Sequence, residues 1–118
     1  MIHFGGLPFS DPQPLVLFGG APLPALYCLM VFDVRCSPQP YRAVFMGQTR
    51  NAAAALDLDH PAVVAWGEAG GFLGLLNVCV HYLPYVRERE RATLAKRLVT
   101  QYEPELNQRS SLGSRVSD

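Results

Sequence analysis

Between Ala25 and Asn107 the spacing of apolar residues changes period three times, between strand and helix segments. Leu26 to Val34 is rich in Leu, Val, Tyr and Phe. It is short and β-prone, which predicts a buried strand rather than a helix. Arg35 to Pro40 contains Ser37, Pro38 and Pro40, turn chemistry that returns Tyr41 to Met46 antiparallel as the second arm of a hairpin, with Gly47 as its end. Asn51 is a good N-cap and Ala52 to Leu56 are strong helix formers, so a short helix begins there. Asp57 and Asp59 sit badly at its C-terminus, and Pro61 restricts His60 to extended geometry. Pro61 to Trp66 starts a further helical turn with Pro in first position, broken by Gly67, Gly70 and Gly71.

Leu75 to Tyr82 is the third strand. Leu76, Val78, Val80 and Tyr82 share one face and Leu75, Asn77, Cys79 and His81 the other. From Arg87 the pattern becomes helical, because Leu94, Leu98 and Tyr102 recur every four residues and Ala95 with Val99 widens the stripe. The order strand, strand, helix, strand, helix predicts an α+β domain, a small three-stranded antiparallel sheet flanked by helices.

Both ends differ from this middle. Residues 1–24 hold five prolines and four glycines, which interrupt helix and ladder alike and predict an extended N-terminal arm. Within it Leu15 to Phe18 is a short apolar run that suits an edge strand, pairing with its own sheet or with a second copy. The domain proper then covers residues 25–108, and Arg109 to Asp118, rich in Ser, Arg and Gly, reads as a flexible tail.

Composition narrows the function classes. The 118 residues suffice for one small core, and 49% hydrophobic against 17% charged residues excludes disorder. Ten basic and ten acidic residues cancel, which disfavours nonspecific nucleic-acid binding, since that needs an excess of Lys and Arg. Residues 84–118 carry a net of +2, too little for a basic patch. Cys28, Cys36 and Cys79 are odd in number and form no CxxC, so neither a disulfide framework nor a zinc site is indicated. No basic leader and no apolar run of about 18 residues is present, which points to a cytoplasmic protein without a membrane span.

Three short motifs give the middle of the chain a family likeness. Ala25, Leu26 and Tyr27 stand in the first strand; Phe45, Met46 and Gly47 are followed by Gln48, Thr49 and Asn51; and the last helix closes with Tyr102, Pro104, Leu106 and Asn107. This set resembles the GIY-YIG endonuclease family over roughly residues 25–107. The resemblance implies tyrosine hydroxyls that help activate water, an Arg of the first helix that stabilises the phosphate, and a Glu of the later helix that holds a divalent metal.

At the position of that Arg, eight residues beyond Gly47, this chain has Ala55, and at that of the Glu, twelve before Asn107, it has Ala95. Phe45 lacks the second hydroxyl. A methyl offers no ligand to Mg²⁺ and no charge to a phosphate. On this reading Tyr27, Phe45, Gly47 and Asn107 are a vestigial motif without catalytic residues, and no cofactor is needed. The domain is then a binding module for a protein partner or, through the arm, for a second copy, with nucleic acid less favoured by the zero net charge. The alternative is a divergent endonuclease with Mg²⁺ or Mn²⁺ held by Glu90 and the phosphate met by Arg50.

The remaining candidates each carry two readings. Tyr27, Gln48, Arg50, His60, Arg87 and Arg91 are the possible ligand-binding set. His60 contacts a ligand or caps a turn. Arg87 and Arg91 form a phosphate-facing stripe, or belong to a solvated first turn with pairs Arg87 to Glu90 and Glu88 to Arg91. Trp66 anchors a partner or packs in the core. His81, with only Asn77 and Cys79 near it on the strand face, is structural.

Overall fold

In the computed structural model, which describes residues 1–37 and 39–108, the chain runs through β1 (Ile2–Phe4), β2 (Leu7–Phe9), β3 (Gln13–Pro14), β4 (Ala25–Phe32) and β5 (Tyr41–Thr49). It continues through α1 (Ala52–Ala55), α2 (Pro61–Glu68), β6 (Asn77–Tyr82) and α3 (Glu88–Tyr102). Short 3-10 turns occupy Leu15–Leu17, Leu73–Leu75 and Glu105–Gln108. Among the described residues no helix is long and apolar enough to cross a membrane.

The sheet has four strands, not three, in the order β3-β6-β4-β5, and all its pairs are antiparallel. With three strands β6 would present an open edge. The N-terminal segment fills it: Gln13 pairs with Val78, Pro14 with Asn77, and the Ser10 N–H donates to the Val80 carbonyl at 2.8 Å. Pro14 is tolerated because it stands on the outermost strand. The run Leu15 to Phe18 is not a strand: Leu15–Leu17 form a 3-10 turn, held by the Leu15 N–H on the Leu76 carbonyl at 3.0 Å.

The expectation of an extended arm is likewise corrected. Gly5 and Gly6, with φ of 57° and 80°, close a two-residue turn between β1 and β2, the left-handed geometry that matches strand twist. The resulting hairpin packs on α3. A Cβ at Gly5 would stand 3.0 Å from Leu98 Cδ2, and the Gly5 N–H donates to the Tyr102 hydroxyl at 2.7 Å, while the Phe4 and Tyr102 rings meet edge to face at 5.2 Å. Tyr102→Phe is expected to cost about 0.5–1 kcal/mol, a single exposed hydrogen bond. Faster amide exchange at Gly5 than in the parent, with exchange in β4 unchanged, checks it.

Alternation along β4 gives the domain two cores. Ala25, Tyr27, Leu29 and Val31 face a layer made by α1, α2 and the 3-10 turns, while Leu26, Cys28 and Met30 face α3 and the N-terminal hairpin. A register shift between Leu29 and Met30 places both Val44 and Phe45 of β5 in the first core. Gly47 does not end β5. It pairs with Tyr27 inside the ladder, which continues to Thr49 opposite Ala25.

After α3, Glu103 turns the chain in a left-handed conformation with φ of 46°. The segment then passes round the outer edge of β5, so that Leu106 reaches the first core. Residues 109–118, expected as a tail, lie outside the described residues.

Candidate functional site

Four of the six expected ligand-binding residues fall into two pairs on opposite faces of the sheet, Tyr27 with His60 and Gln48 with Arg91, while Arg50 and Arg87 are exposed outside them. On the first face Tyr27, Phe45 and His60 form a buried three-ring cluster. Tyr27 and Phe45 stack at 6.2 Å, and His60 meets them edge-on at 5.4 and 5.5 Å. His60 sits there because Pro61 sets the start of α2 and the residue before it, in extended geometry, becomes the N-cap.

The two nitrogens of His60 then have fixed duties. Nδ1 accepts from the Ala62 N–H at 3.0 Å. A neutral imidazole that accepts at Nδ1 carries its proton on Nε2, so Nε2–H donates to the Tyr27 hydroxyl oxygen at 2.7 Å. The backbone therefore selects the tautomer in which His60 cannot take a proton from Tyr27. General-base chemistry through this pair would require breaking the cap.

On the second face lies a pair that the sequence did not bring together. Arg91 is 4% exposed and Gln48 is fully buried; Arg91 Nε–H donates to Gln48 Oε1 at 3.0 Å and Nη1–H to the Val86 carbonyl at 2.6 Å. Among the described residues no carboxylate pairs with Arg91, and Gln48 Nε2 is buried without a hydrogen-bond acceptor. The expected pair of Glu88 with Arg91 and the expected surface stripe of Arg87 with Arg91 are both absent, because Arg91 turns inward while Arg87 stays exposed. The signal was there in the spacing. Arg91, Ala95 and Leu98 share the buried face of α3, at intervals of four and three residues.

The positions that the family resemblance makes important are accounted for in turn. Ala95 is fully buried in the second core, packed with Cys28, Met46 and Cys79. Glu90 stands on the exposed side of α3, beside Arg87, Thr93 and Arg97. Since α3 covers the face opposite to Tyr27, this placement keeps Glu90 and Tyr27 apart. Ala55 is half-buried at the end of α1, and Arg50 is exposed directly after β5.

Magnesium needs oxygen ligands in near-octahedral array. Among the described residues no three His, Cys, Asp or Glu side chains come together, and the rings of Phe45 and His60 rather than carboxylates surround Tyr27. Among the described residues this donor set offers magnesium no such array. Cys28 and Cys79 face each other across β4 and β6 as buried free thiols; burial, and then the hydrogen bond with Cys79, pushes the Cys28 thiol well above its ordinary range.

Two further residues have structural duties. His81 Nδ1 is 2.7 Å from the Pro8 carbonyl, tying β6 to the hairpin. Asn107 acts as a piece of strand: its Oδ1 accepts from the Met46 N–H at 2.8 Å and its Nδ2 donates to the Met46 carbonyl at 2.9 Å, both buried. A single side chain thus satisfies the N–H and the carbonyl of Met46 at the edge of β5. Trp66 is half-buried against the first core and donates to the Phe72 carbonyl at 3.2 Å.

Compared with protein-family models, with curated proteins and with solved structures, the chain matches none.

Proposed function

We propose that this chain is a GIY-YIG-like domain without catalytic activity, which works by binding. The observation that carries the proposal is the Tyr27, Phe45 and His60 cluster. Its one retained hydroxyl accepts from a histidine whose other nitrogen is committed to capping α2. A nuclease of the kind the resemblance implies would need that hydroxyl and a metal-bound carboxylate beside the same phosphate. Ala95 in the second core and Glu90 on the outer side of α3 supply no such carboxylate next to Tyr27. The motif residues that remain serve the scaffold instead: Gly47 in the ladder, Tyr102 on the hairpin and Asn107 on the β5 edge.

The test is incubation of the purified chain with supercoiled, linear and branched DNA in Mg²⁺ and Mn²⁺, beside a Glu90→Ala variant. No cleavage by either protein is the expected result. Cleavage that disappears in the variant would establish a metal-dependent endonuclease with Glu90 as its acid and overturn the proposal.

A further inference from the structure

Part of the exposed apolar surface of this domain lies on adjoining elements. The 3-10 turns at 15–17 and 73–75 touch each other. The second lies against α2, where Leu73 approaches Gly67 and the Trp66 indole bonds to the Phe72 carbonyl. Trp66 and Leu75 in turn share a hollow of about 410 Å³ with Phe32 and Val34, at the far end of β4. The patch thus runs over adjoining elements from Leu17 through Phe72 and Leu75 to Phe32 and Val34, and these five side chains are between 60% and 76% exposed.

Among the described residues neither core includes any of these five side chains. With full surfaces of about 150–250 Å² for large apolar residues, the five expose together on the order of 600–700 Å². A typical monomer's largest apolar patch is about 300–600 Å², so this one is at or above the upper end.

We propose that a second copy of this chain covers the patch, forming a two-fold symmetric dimer; the inference deepens the binding reading above and rests on it. Area is the first argument. Two such faces remove about 1,200–1,400 Å² in total, within the range of stable specific interfaces.

Composition is the second. Homodimer interfaces are depleted in charge. The charges at the rim of the hollow already have partners within the chain: Arg35 holds Asp33 at 2.9 and 3.0 Å, and Arg42 bonds to Glu105. The chain's zero net charge sets no long-range repulsion between copies. Shape is the third. The patch carries protruding side chains, Leu17 and Phe72, and a hollow between Val34 and Trp66, so each copy offers the projection and the recess that a self-complementary contact requires.

Sedimentation equilibrium between about 1 μM and about 200 μM, a span that resolves micromolar dissociation constants, tests this directly. The parent chain is expected to reach twice its monomer mass, with a melting temperature that rises with concentration. Phe72→Glu and, on the other turn, Leu17→Glu should each weaken association at least tenfold with unchanged far-UV circular dichroism, while Arg97→Glu on α3 should not. A parent that stays monomeric at the highest concentration overturns the inference, as does a dimer indifferent to both patch substitutions or an open-ended assembly. DNA cleavage, read on the same samples, reports separately on the binding reading: a monomer that cleaves nothing removes only the dimer.

Discussion

Gln48→Leu is expected to lower the free energy of unfolding by about 2–3 kcal/mol, and Gln48→Glu at the same position to raise it by about 1 kcal/mol at pH 7. The opposite signs follow from what Arg91 lacks. Its guanidinium is buried, its Nε–H rests on a neutral amide oxygen, and the amide's own Nε2 has no acceptor. Leucine strands a charged donor, a loss that exceeds the roughly 1 kcal/mol regained by deleting the orphan amide nitrogen. Glutamate replaces that nitrogen with a second oxygen and offers the guanidinium a fork of two charge-assisted bonds. The arginine is already desolvated in the parent, so only one further ion has to be buried. Urea denaturation of the three proteins at pH 7 decides it. A glutamate variant less stable than the leucine variant would show that Arg91 is compensated in some other way.

Asn107→Leu should cost more, about 3–4 kcal/mol, because it strands both the N–H and the carbonyl of Met46 where water does not reach. At this chain length that corresponds to a fall in melting temperature on the order of 10 °C or more. Asn107→Asp should not rescue it: the acceptor for the Met46 N–H survives, but a carboxylate oxygen would replace the amide donor and face the Met46 carbonyl. Both variants also uncover the edge of β5, so concentration-dependent aggregation on heating should accompany the lower stability. A leucine variant that melts within a degree or two of the parent would mean that the chain after α3 reads the edge of β5 by some other contact.

How far the chain could be read depended on how far apart the deciding residues were. β4, β5, β6 and α3 are announced by periodicity within one segment, and Asn51 was legible as an N-cap because the bond to the Ala54 N–H is local. The N-terminal hairpin was not. In the local sequence Gly5 and Gly6 interrupt helix and ladder alike, although the same pair between two short apolar runs is what a tight hairpin turn requires. Gly47 was misjudged for a related reason, since its place in the ladder is set by Tyr27 on the neighbouring strand.

The candidate site was legible only in its parts. His60 was read with capping as one of two roles, and the cap follows from its neighbour Pro61, whereas its bond to Tyr27 spans 33 positions. Arg91 sits in an alternating run of Arg and Glu that locally suits a solvated helix start. What turns it inward is Gln48, 43 positions earlier. Asn107, recognised as part of a closing motif, gains its meaning from Met46, 61 positions away.

The contact of Gly5 with Tyr102 joins the first turn of the chain to the last residue of α3, 97 positions later. During synthesis the opening hairpin therefore emerges long before the surface it rests on exists. At about 5–20 residues per second, translation leaves its apolar face without a partner for several seconds. The segment that closes the β6 edge waits in the same way for β6 itself. A chain truncated before α3 would leave Ile2, Phe4 and Phe9 without the side of their core that Ala95 and Leu98 supply.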